Sequence, residues 1–173
     1  CNATPLPERL YAGGANARRA FGINAAGPRD LQTGYPVGGT AAFVNTFEFR
    51  MPAPTLPYVG NNVSFVLFHD MGNVFQNPGD MFPSFLHLTQ PDKQTCENVS
   101  GEVGTCNFNY FSHDVGLGAR YKTPVGPIRL DFSYNLNPPI YPVIFVFSDS
   151  NHTTPYVGAA SHFNFFFSIG QSF

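Results

Sequence analysis

Tryptophan is missing from this sequence and charge is scarce: Asp, Glu, Lys and Arg make up 12% of its 173 residues, about half the share of an ordinary globular chain. Nine basic residues against eleven acidic ones leave a net charge of -2, which excludes the basic footprint of a nucleic-acid binder. No run approaches the roughly 18 consecutive apolar residues of a membrane-spanning helix, and the mean hydropathy is only -0.10. The five histidines form neither H-x-H nor H-E-x-x-H, so no metal centre is expected. G-x-S-x-G is absent, and "GLGARY" has Tyr121 where a dinucleotide fingerprint needs its third glycine, with no helical pattern after it. No catalytic residue and no cofactor are expected, and the chain is not read as an enzyme. The sequence opens without an initiator Met or a signal peptide. Cys1 fits either a mature lipoprotein terminus or a fragment boundary, and the boundary is the simpler reading.

Aromatic residues fill the space that charge leaves, at 16% of the chain with 19 phenylalanines. The closing "FNFFFSIGQSF" sets Phe163, Phe165, Phe167, Ile169 and Phe173 against Asn164, Ser168, Gly170 and Ser172, the period of two that marks a strand between unlike environments. Four earlier stretches alternate in the same way: "TAAFVNTFEFR", "VSFVLFHDMGNVF", "HDVGLGARYK" and "PIRLDFSYNL". Each has about the 9–11 residues with which a tilted strand crosses a bilayer. The polar sides carry Glu48, Asp70, Arg120, Arg129 and Asp131, and the apolar sides Phe43, Phe65, Leu117, Leu130, Phe132 and Phe167.

Two architectures fit such strands, a soluble Phe-rich β-sandwich and a transmembrane β-barrel. The connections favour the barrel. Residues 51–62 and 123–127 are short, whereas 13–38, 76–112 and 137–161 are long. Outer-membrane barrels alternate tight periplasmic turns with long outer loops in this manner. The expected fold is therefore all-β, an antiparallel transmembrane barrel spanning residues 1–173. Five strands, with "RLYAGG" as the tail of a sixth, fall short of the roughly eight that close a minimal barrel, and open edges are not tolerated in lipid. The chain reads as the C-terminal part of a larger barrel. Cys96 and Cys106, close together in a polar stretch, suit a small loop disulfide in an oxidising compartment. Four Asn-x-Ser/Thr sequons, at Asn2, Asn62, Asn98 and Asn151, bear only on a eukaryotic secretory context.

"GLGARYKTPVGPIRLDFSYNLNPP", followed by the terminal "FFFSIGQSF", resembles the C-terminal barrel of the BamA/TamA family of outer-membrane assembly factors, the bacterial surface antigen family. "FVLFHDMGNVF" and "GGTAAFVNTFEFRMP" are similar to the two strands before it. The resemblance implies a sixteen-stranded barrel preceded by periplasmic POTRA domains, resident in the bacterial outer membrane. It also implies that "YAGGANARRAFG" is the sixth outer loop, whose tip folds back into the lumen. The tip maps to Arg18, Arg19, Ala20 and Phe21. Arg19 keeps the family's central arginine, expected to meet Glu48 and Asp70 with Phe21 and Phe68 beside them. Arg18 and Ala20 depart from a hydrophobic and a glycine position, so little weight is expected on Arg18. Arg120, Arg129 and Asp131 are expected on the lumenal wall. Phe167, Ile169, Gly170 and Phe173 match the C-terminal strand signal. On this resemblance the function is insertion of client β-barrels into the outer membrane. Its partners are membrane lipid, unfolded outer-membrane proteins and, through POTRA domains, accessory lipoproteins. A TamA-like or two-partner-secretion pore and a passive channel remain the alternatives.

Overall fold

A computed structural model describes residues 4–15, 18–53, 62–91, 96, 104–124, 126–148 and 152–170, with the backbone alone at 142–148 and 152–159. Its centre is one antiparallel sheet of five strands in the order β2-β3-β5-β6-β9, formed by β2 (Ala41–Pro52), β3 (Val63–Phe75), β5 (Ser112–Thr123), β6 (Gly126–Asn135) and β9 (Phe163–Ile169). Two further pairs lie outside it: β1 (Arg29–Asp30) with β4 (Thr105–Cys106), and β7 (Ile140–Ser148) with β8 (His152–Ala159). Every neighbour in the central sheet is antiparallel, so each strand returns alongside the one before it.

The register turns the alternation of single strands into rows across the sheet. Phe49, Leu67, Leu117, Phe132 and Phe165 stand side by side on one face. Met51, Phe65, Ala119, Leu130 and Phe167 form the next row. This apolar face is open: Phe47, Leu117 and Phe132 are each about six-tenths exposed, at 66%, 61% and 59%. Among the described residues no second layer of strands or helices covers these two rows, whereas a soluble domain would bury them. The opposite, inner face carries the buried polar residues Asp70, Asp114, Asp131, Ser133 and Asn135. Segment 10–39 covers it and packs Ala12, Ala20, Phe21 and Ala26 around Val74 of β3.

Gly72 shows how closely the strands approach at the loop end. Its φ is +149°, and a Cβ there would fall on the Phe43 carbonyl of β2. Two expectations change. Residues 137–161 are not a plain loop, because β7 and β8 build a separate antiparallel ribbon between β6 and β9. "RLYAGG" contributes no barrel strand; Leu10 and Ala12 make isolated bridges to Gly39 and Ala26.

Candidate functional site

The tip of segment 10–39 rests on the inner face, and its hairpin shape is local. Gly14 and Arg18 exchange backbone hydrogen bonds at 3.0 and 3.1 Å, and the Gly14 N–H also donates to the Phe21 carbonyl at 2.9 Å. This tight turn presents two successive arginines to the sheet.

Arg19 is 3% exposed. Its Nε and Nη2 donate to the two Asp70 oxygens at 2.8 and 2.7 Å, and Nη1 donates to Glu48 Oε1 at 2.8 Å. The planar guanidinium fork can satisfy two carboxylates at once, which a lysine cannot. Its flat face lies over the Phe68 ring, with Cζ 3.4 Å from the centroid, a cation–π contact. Glu48 is shared: Arg50, three-quarters exposed, donates to its other oxygen at 2.8 Å.

Arg18 corrects the reading of the sequence. It is fully buried, its Nη2 donating to Asp114 Oδ2 at 3.2 Å and its Nη1 to the Gly72 carbonyl. Its guanidinium carbon also stands 5.1 Å from the Phe21 ring centroid. The departure from a hydrophobic position thus installs a second buried ion pair on the next strand. Ala20 fits without strain, since Asn24 is the only non-glycine residue with positive φ among those described. Its side chain is buried in the tip cluster, so the glycine of the family pattern is not needed here for backbone freedom.

The backbone of the tip is held as well. Ser133 Oγ donates to the Arg19 carbonyl, and Asn164 Nδ2 donates to the Ala20 carbonyl at 2.8 Å. Glu48, Phe68, Gly116, Ser133 and Asn164 are register partners in turn, one from each strand of the sheet. The tip therefore sits along a single row, with Asp70, Asp114 and Asn135 forming the adjacent row. Gly116 is the necessary gap in that row: a Cβ would strike the Phe68 ring and the Phe132 carbonyl. The aromatic ring covers the glycine across the strand pair and is itself covered by Arg19.

One and two rows from the tip on the same face, on the side away from Asp70, Arg120 Nη1 meets Asp131 Oδ1 at 2.5 Å and Arg129 Nη2 approaches Asp131 Oδ2 at 3.6 Å. These three residues satisfy one another on the wall rather than joining the tip. Of the C-terminal signal, Phe167 and Ile169 are exposed on the apolar face and Gly170 follows at φ +99°. Phe173 lies outside the described residues. Cys96 and Cys106 are bridged, with Cα atoms 5.3 Å apart, inside a cluster with Phe108 and Tyr110. Burial pushes the Tyr110 phenol above its ordinary pKa, and its hydroxyl donates to the Asn137 carbonyl at 2.9 Å.

Sequence reasoning reads Gly116 and Gly118 as small lumen-facing residues that leave room for a loop and gives Arg18 little weight; Asp114, Ser133 and Asn164 are the residues of the tip site that it passed over. The inner-face parity of Asp114, Ser133 and Asn164 was available; the register that aligns them was not.

A family model described as the Omp85 superfamily domain matches residues 2–173. Among solved structures, BamA from Haemophilus ducreyi lacking POTRA domains 1–3 is similar, with a TM-score of 0.56 and 17% sequence identity. The match covers 93% of this chain and 27% of that one. No curated protein matches.

Proposed function

The chain belongs to the Omp85 superfamily, and from that membership we propose that it is the loop-clasped wall of a BamA-like machine that folds client β-barrels into the outer membrane. The observation that carries the proposal is the arginine tip bonded to all five strands of the sheet across two neighbouring rows. A passive channel has no need to fix one loop to every strand of its wall, whereas a wall with an edge that must open under load does.

The apolar face of the sheet meets lipid in the bacterial outer membrane, and the inner face holds the loop. β9 is an edge strand of the sheet, and an edge presents unpaired N–H and C=O groups that template a further strand. In our reading a client strand arriving from the periplasm adds to such an edge, and burial of its apolar face in lipid supplies the driving force. Ser133 and Asn164 tie β6 and β9 to the tip while the edge is occupied, and the Arg19–Asp70–Glu48 clasp fixes the tip to β2 and β3 at the far side of the sheet. Periplasmic POTRA domains and accessory lipoproteins would deliver the client. The role is non-enzymatic.

The test is reconstitution of the full-length protein in lipid vesicles with an unfolded β-barrel client. Wild type should accelerate client folding over empty vesicles, and Arg19→Ala should lose most of that acceleration while still inserting as a barrel. Vesicles that leak ions without any acceleration would support the channel reading and end this one. Export of a soluble passenger without client folding would favour the TamA-like or two-partner-secretion alternative.

A further inference from the structure

The connection between β3 and β5 does not stand clear of the sheet. Its 3₁₀ turn Pro83–Leu86 lays Phe85 on Phe43, with ring centroids 5.3 Å apart, and on Phe111 at 4.2 Å. Phe75 joins the cluster 5.4 Å from Phe111. Backbone bonds hold the turn there: the Phe111 N–H donates to the His87 carbonyl at 3.1 Å, and Asn137 Nδ2 donates to the Leu88 carbonyl at 2.6 Å. Phe43 shares its side of β2 with Phe47 and Phe49, so the turn is docked on the apolar face of the sheet, at its loop end.

Past this docked edge the same turn leaves Phe82, Leu86 and Leu88 in the open, at 72%, 88% and 62% exposure. Residues 81–90, "MFPSFLHLTQ", contain no Asp, Glu, Lys or Arg. Three large apolar side chains held exposed on one uncharged turn mark a contact rather than a solvated loop. Its continuity with the lipid-facing rows of the sheet identifies the contact.

We propose that the turn 82–88 is an interfacial anchor, with Phe82, Leu86 and Leu88 immersed in the outer leaflet beside the barrel wall. Aromatic and aliphatic side chains without charge settle at the boundary of headgroups and acyl chains. The turn would then extend the membrane-facing surface of the barrel beyond its strands, on the side where the long connections lie. This rests on the outer-membrane placement of the sheet and not on what the machine does to its clients.

The experiment uses the full-length protein in vesicles with a single added tryptophan, which this chain lacks, read as a difference from the parent. Leu86→Trp is the probe. Leu117→Trp, in the middle of the apolar face, is the lipid reference, and Tyr35→Trp, 73% exposed on segment 10–39, is the water reference. Acyl chains brominated close to the headgroup should quench Leu86→Trp at least as strongly as Leu117→Trp, and chains brominated near their ends should quench it less. Its emission should lie to the blue of Tyr35→Trp, and Phe82→Trp should behave in the same way. Red, unquenched emission matching Tyr35→Trp would overturn the proposal. Blue-shifted emission that bromine does not quench would overturn it too, because a partner protein or a second copy of the chain would then cover the turn.

Discussion

Replacing Arg19 with alanine removes the central group of the tip, and the structure allows its cost to be worked out. Asp70, 1% exposed, loses both of its charge-assisted bonds from the guanidinium. Glu48 loses one but keeps the exposed Arg50, so Asp70 carries most of the penalty. Removing one partner of a buried ion pair typically costs about 3–5 kcal/mol. The partial rescue at Glu48 places this case near the lower end, about 3 kcal/mol. Local opening of the tip should then rise roughly 100-fold, since each 1.4 kcal/mol is a factor of ten. Hydrogen exchange at the Arg18–Phe21 backbone, followed by mass spectrometry on the folded barrel, reads that change. Arg50→Ala is the control, because it breaks a pair to the same Glu48 at an exposed site, where about 0–1 kcal/mol is at stake. Adding Asp70→Asn to Arg19→Ala should restore part of the protection by removing the stranded charge. Arg19→Lys should fall between, since it keeps the charge without the fork or the flat stacking face. Protection in Arg19→Ala no lower than in Arg50→Ala would refute the reasoning.

Arg18→Ala should open the tip by a comparable amount through the stranded Asp114, again about 3 kcal/mol; an effect as small as that of Arg50→Ala would show that Arg18 is incidental. Gly116→Ala should displace the Phe68 ring and with it the Arg19 stack, lowering protection at the tip with no charge altered; unchanged exchange would mean that the row tolerates a side chain there. Reducing the Cys96–Cys106 bridge should destabilise the connection between β3 and β5 by about 2–3 kcal/mol on chain-entropy grounds, seen as faster proteolysis of that segment while the sheet stays protected. Equal cleavage with and without reductant would contradict it.

The strands were legible because two solvents act on them. One face must satisfy lipid and the other a crowded polar interior, so the alternation of β6 from Ile128 to Asn135 is almost unbroken. The ribbon β7–β8 was not legible for the converse reason. "IYPVIFVF" is apolar at nearly every position, so period two gives no contrast, and the Ser, Asp and Asn residues after it read as a loop. At the tip, family resemblance supplied Arg19, Glu48 and Asp70. Arg18 was hidden because a charge at a hydrophobic position suggests solvent, when its partner Asp114 lay across two strands. Ser133 and Asn164 look like ordinary lumenal polar residues until pairing places them on the row of Glu48. That information resides in inter-strand register, which a single strand does not carry.

The contacts of the tip also set an order in time. Counted along the chain, Glu48 lies 29 residues from Arg19, Asp70 51, Asp114 96 from Arg18, Ser133 114 from Arg19, and Asn164 144 from Ala20. Contacts of such separation form slowly, because the intervening chain must first be closed. The tip cannot be fully seated until the last strand has been laid down, so its docking serves as a completion check on the sheet. Pulse-labelled exchange during folding should find the Arg18–Phe21 amides protected only after those of β9, and a chain stopped before Asn164 should hold its tip loosely while β2, β3 and β5 are already paired.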